Sequence, residues 1–117
     1  MGMALKKDVL AACRQAGTEK PIDLVHISSI TMGDRDLEHE ILSMFAAQIP
    51  SYLDLARDCS NSAEVKRVAH TIKGAARSIG AFRLAEIAIE SEESGKFSQS
   101  AMKAEFSKIA EYIAKLH

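Results

Sequence analysis

The chain has 117 residues, 47% of them hydrophobic and 26% charged, which is enough to fill one core and cover one soluble surface. Aromatics at 5%, no Trp, six Gly and two Pro argue against a β-sandwich or barrel, which need many turns and β-formers. A net charge of −1 supplies no whole-chain electrostatic footprint for nucleic acid or an anionic membrane.

No apolar run approaches the ~20 residues of a membrane span. The start, Met1-Gly2-Met3-Ala4-Leu5-Lys6-Lys7, lacks the apolar core of a secretory signal, and Lys6 stands where a myristoylation motif needs Ser or Thr. Cys13 and Cys59 lie far apart and neither belongs to a CxxC pair. The expectation is a cytoplasmic protein with two reduced thiols, a structural disulfide being the alternative.

In chain order, Leu5, Val9, Ala12, Cys13 and Ala16 share one face of a helix over 3–16, with Gly17 as its stop. A two-turn helix follows over 24–31, ended by Gly33. Asp34 caps a long helix over 34–58, whose apolar series is Leu37, Ile41, Met44, Phe45, Ile49, Tyr52, Leu53 and Ala56. Pro50 falls inside that series and predicts a kink rather than an end, because the stripe continues through it. Asn61 and Glu64 have capping-box spacing before a helix over 62–79, which turns Val65, Val68, Ala69, Ile72, Ala75, Ala76 and Ile79 inward. Gly80 breaks the pattern. A helix over 81–94 ends at Gly95. Ser98 caps the last helix, 99–116, with Phe97 and Met102 at staple spacing. Short connections make sequential helices antiparallel neighbours. The chain therefore reads as a single all-α domain over 1–117. It is an antiparallel up-and-down four-helix bundle with additional N-terminal helices covering an end or flank.

Of the four histidines, His39 sits between Glu38 and Glu40 on a charged face, His117 is terminal, and His26 is ambiguous in a mostly apolar helix. His70 differs because Val68 and Ile72, each about 200° away on the helical wheel, point inward. His70 therefore faces out. Around it on that face lie Lys66, Arg67, Lys73 and Arg77, with Gly74 one turn on. Neighbouring cations favour the neutral imidazole, which is the nucleophilic form. The same cations would stabilise an added phosphoryl group of about two negative charges. A glycine at 74 costs about 1 kcal/mol relative to Ala in a helix interior. It leaves the ring uncovered for a close approach by another surface.

The run Ala69-His70-Thr71-Ile72-Lys73-Gly74-Ala75-Ala76-Arg77-Ser78-Ile79-Gly80-Ala81 closely resembles the signature of histidine-containing phosphotransfer (HPt) domains of bacterial phosphorelays. The similarity extends from about residue 20 to 95, through Met32-Gly33-Asp34, Phe45 and the stretch from Leu84 to Glu92. It implies a four-helix bundle with His70 as the phosphorylated residue. It also implies that Lys73 supports the phosphoryl group and that Gly74 is the small residue that admits the partner. The family often has Gln or another polar residue on the next helix near the histidine. An ungapped match puts Glu92 there, at a similar height across the turn at Gly80. A carboxylate would repel phosphate, so its expected role is to orient the imidazole or Lys73. Ser91 stands where the family usually has a large apolar residue, and Ile89 is the candidate to compensate.

The resemblance implies a phosphorelay intermediate that accepts a phosphoryl group from a receiver-domain aspartate and passes it to another. The implied partners are response-regulator receiver domains and a sensor or hybrid histidine kinase. The chain itself is expected to be a monomer without autonomous kinase activity. It carries no Gly-rich nucleotide loop and no acidic metal cluster, so no cofactor is expected and Mg²⁺ belongs to the receiver. Two other readings compete. One is a non-catalytic helical adaptor that docks receiver or kinase domains. The other is a metal-binding bundle enzyme, whose Glu-x-x-His pattern on facing helices is missing.

Overall fold

The computed structural model describes residues 20–116. The helix expected over 3–16, Cys13 and His117 lie outside the described residues. Those described form five α-helices and no strands: α1 Leu24–Thr31, α2 Arg35–Arg57, α3 Ser62–Ser78, α4 Phe82–Ser94 and α5 Gln99–Leu116.

Local chemistry sets most of the boundaries. The Asp23 carboxylate accepts from the N–H groups of Val25 and His26 at 3.0 and 3.3 Å, capping α1. Asp34 does the same for α2 through Asp36 and Leu37, at 3.0 and 3.1 Å. Asp36 and Glu38 then lie in its first turn, at the positive end of the helix dipole. Asn61 accepts from the Glu64 N–H at 2.9 Å and caps α3. The return arm of this box shifts by one residue. The Glu64 carboxylate accepts from the Ser60 N–H at 2.7 Å and the Ser60 hydroxyl at 3.0 Å, not from Asn61. The backbone carbonyl of Ser98 accepts from Met102 at the start of α5, and both Phe97 and Met102 join the core.

Two expectations need correction. The stop of α1 comes one residue before Gly33: Met32 itself is left-handed, at φ 55°, and Gly33 follows at φ 80°. On α2 the buried face is Leu42, Phe45, Ile49 and Ala56, whereas Leu37 and Met44 are exposed. The true stripe is rotated toward Leu42, which is fully buried and was missing from the predicted series. The helix does run unbroken through Pro50, as its apolar period required.

The helices pair antiparallel. At one end of the α3–α4 hairpin the Ala81 N–H donates to the Ala76 carbonyl at 2.8 Å; at the other, Ser62 faces Gly95. On the α2–α5 pair, the Gln99 amide donates to the Ala56 carbonyl at 3.1 Å, while Phe45 and Tyr52 both stack on Phe106. Contacts between α2 and α3 and between α4 and α5 complete a ring of four helices. Its core centres on Phe106, Leu42, Ile72, Leu84, Met102 and Ile109. The short α1 sits over the α3–α4 turn, with His26 edge-on to Phe82 at 5.3 Å. Among the described residues, no helix is long and apolar enough to cross a membrane.

Candidate functional site

The face that α3 buries fixes the face it presents. Val65, Ala69, Ile72 and Ala76 are buried, so His70 points outward with 70% of its side chain exposed. On α4 the buried residues Leu84, Ala85, Ile87, Ala88 and Ser91 leave Glu92 at the rim of the same groove. Because α3 and α4 fold back about Gly80 and Ala81, residues 70 and 92 come level. One Glu92 oxygen lies 3.2 Å from the His70 Nδ1, and the other accepts from the Lys73 Nζ at 2.9 Å. A single carboxylate thus joins the histidine and the lysine one turn on.

The hydrogen bonds and charge of this carboxylate settle which nitrogen of the ring is free. The Lys73 ammonium holds the Glu92 carboxyl below the usual carboxylate range, chiefly by its hydrogen bond; burial opposes this, and the Lys73 charge and the contact with His70 add to the lowering. Glu92 is therefore ionised at neutral pH and can only accept. The His70 Nδ1 must supply the proton of that contact. In the neutral ring Nε2 is then the nitrogen that keeps its lone pair, on a side chain that is largely exposed.

Lys73 is unlike the other three cations. Only 17% of its side chain is exposed, and its stem lies against the bundle. Lys66, Arg67 and Arg77 are exposed on the same face as His70. Gly74 is exposed too, and a Cβ there would meet nothing within 4 Å. Close helix packing therefore does not account for this glycine. The structure brings His70, Lys73 and Glu92 into one hydrogen-bonded group, and places Lys66, Arg67, Gly74 and Arg77 around it.

The other candidates fall away from this centre. His39 is exposed on α2, and His26 is half-buried against Phe82. Ser91 is buried, its hydroxyl donating to the Ile87 carbonyl at 2.9 Å, so it needs no apolar replacement nearby; Ile89 is half-buried. Cys59 is half-buried, its Sγ–H donating to the Leu55 carbonyl, and burial pushes its thiol up, away from the reactive thiolate. Among the described residues, no three His, Cys, Asp or Glu side chains are grouped to hold a metal ion.

Compared with known protein families, residues 40–116 match the model of the Hpt domain. No curated protein and no solved structure matches the chain.

Proposed function

The chain belongs to the Hpt domain family, whose members carry phosphoryl groups on histidine in phosphorelays, and on that premise we propose that His70 is its carrier residue. The observation that supports this choice is the bond between the His70 Nδ1 and an ionised Glu92, which leaves an exposed Nε2 as the nucleophile. In this reading, Nε2 attacks the aspartyl phosphate of a receiver domain in line. It later yields the phosphoryl group to the aspartate of a second receiver.

Lys73 is already within one turn and already desolvated on one side. It shares its charge between Glu92 and the incoming phosphoryl oxygens, where charge-assisted hydrogen bonds are strongest. Gly74 leaves room for the receiver surface. Lys66, Arg67 and Arg77 steer an acidic partner by long-range attraction. The partners are receiver domains and a sensor or hybrid histidine kinase. Mg²⁺ sits on the receiver, and the chain works as a cytoplasmic monomer without kinase activity of its own.

The test is phosphoryl uptake from a phosphorylated receiver. His70→Gln should abolish it and leave the helical circular dichroism unchanged, because the side chain lies outside the core. Acid-labile phosphate accumulating on that variant at the wild-type rate would assign the carrier to another residue. A folded wild-type chain that binds receivers without ever taking phosphate would be an adaptor.

A further inference from the structure

The proton on Nδ1 matters again after the phosphoryl group has arrived. When Nε2 attacks the aspartyl phosphate, an Nε2–P bond forms and a P–O bond breaks. The aspartate leaves as its carboxylate, and the proton on Nδ1 has nowhere it needs to go. The product is a phosphorylated ring with a proton on Nδ1, hence a cation. On discharge the acceptor carboxylate attacks phosphorus, the Nε2–P bond breaks, and its electron pair returns to Nε2. With Nδ1 protonated, the leaving group is neutral imidazole. Without that proton it would be an imidazolate anion, a far poorer leaving group. Loading and discharge therefore balance with no proton transfer at all, provided the loaded ring keeps its Nδ1 proton.

In water such a ring would give up that proton as the pH rises. Here the contact on Nδ1 is an ionised carboxylate 3.2 Å away, not a neutral amide. An amide oxygen can accept the same hydrogen bond, but it carries no charge to oppose that of the ring. On α3, helical spacing places Lys73, Lys66 and Arg67 near the ring, with Arg77 further along. All are cations and favour loss of the proton. Against them stand Glu92, bonded to Nδ1 and held ionised by Lys73, and the negative charge of the phosphoryl group on Nε2 itself, with the exposed Glu93 next on α4.

We propose that Glu92 keeps the phosphorylated His70 ring protonated at Nδ1, and so makes this chain a fast-discharging carrier whose transfer does not slow above neutral pH. This deepens the carrier reading and rests on it. Glu92 acts through the ring and not on phosphorus; it is a positioning residue.

The experiment loads the full chain with phosphoramidate as the small phosphoryl donor. It then follows discharge to a receiver domain between about pH 6 and about pH 9, for the wild type, Glu92→Gln and Glu92→Ala. The wild-type discharge rate should be flat. Whatever their rate at the acid end, both variants should fall away from the wild type above neutrality by up to about tenfold per pH unit, the slope of a single proton. Nitrogen NMR of the loaded ring should show a protonated Nδ1 in the wild type at about pH 8, and a bare one in both variants. Parallel pH profiles, or a bare Nδ1 in the loaded wild type at that pH, would overturn the role of Glu92 while leaving His70 as carrier. A wild type that takes no phosphoryl group on His70 would overturn the carrier reading itself, and this inference with it.

Discussion

The backbone N–H of Asp23 donates to the carbonyl of Gly80 at 2.9 Å, and a Cβ on Gly80 would stand only 2.8 Å from the carbonyl oxygen of Asp23. The chain segment that enters α1 is thus pressed against the turn that reverses α3 into α4. That turn sets the level at which His70 meets Glu92. Gly80 also has φ +79°, a conformation that costs an L-residue energy wherever it occurs.

Gly80→Ala should therefore destabilise the fold by about 1–3 kcal/mol, from the backbone conformation and the crowding of Asp23 together. Urea unfolding checks this, the midpoint falling with an unchanged slope. Equal stability of the variant would mean that the turn adopts another conformation in solution.

Gly74 makes the opposite case. Its added Cβ would meet nothing within 4 Å, so Gly74→Ala should stabilise α3 by up to about 1 kcal/mol. Gly74→Leu should fold as well, yet transfer from a receiver should drop steeply because the side chain projects beside His70. The two measurements are urea unfolding and the initial rate of transfer. Normal transfer by the Leu variant would remove Gly74 from the docking surface.

How much of this was legible in the sequence depends on how local each determinant is. Asp34 and Asn61 cap within three residues of themselves, so their helices could be read directly. The buried face of α2 could not. Ile41, Leu42, Met44 and Phe45 are all apolar, and which of them point inward depends on where α5 lies. The same holds for Val25 and Met32, apolar but largely exposed on and after α1. Within the site, the outward direction of His70 followed from its own helix. The level of Glu92 followed from the antiparallel turn. That one carboxylate bonds both His70 and Lys73 required the side chains themselves, because helical spacing fixes heights and not the reach of a particular oxygen.

Two half-buried carboxylates should make stability sensitive to acid. Glu64 is held below its ordinary range first by the Ser60 N–H and then by the Ser60 hydroxyl, and Glu92 first by the Lys73 hydrogen bond. Their pKa values are lowered on folding, so the folded state binds fewer protons than the unfolded one. Their contribution is full above the ordinary carboxylate pKa and is lost as pH falls through the lowered values. The stability gap between wild type and Glu64→Gln, measured by urea unfolding, should therefore be present at neutral pH and close in acid. A gap that stays constant through the acid range would show that the Glu64 charge contributes nothing to the cap.

The cations around His70 should divide into two kinds. Lys73 is mostly buried, tied to Glu92 at 2.9 Å and one turn from His70, so its charge acts at short range where salt screens little. Arg77 and Lys66 are exposed, and their attraction for an acidic receiver must cross solvent. Lys73→Ala should lower the maximal transfer rate by about one to two orders of magnitude, the scale set by losing one charged donor to a transferring group. That loss should persist at high salt. Arg77→Ala and Lys66→Ala should instead raise the receiver concentration needed for half-saturation. The effect should fade above about 0.5 M salt, where the Debye length is only a few ångströms. Rapid-quench transfer at several receiver concentrations separates the two parameters. One common, fully salt-sensitive loss in all three variants would deny Lys73 any role beyond docking. A loss confined to the maximal rate of Lys73→Ala would place its ammonium on the phosphoryl group in transit.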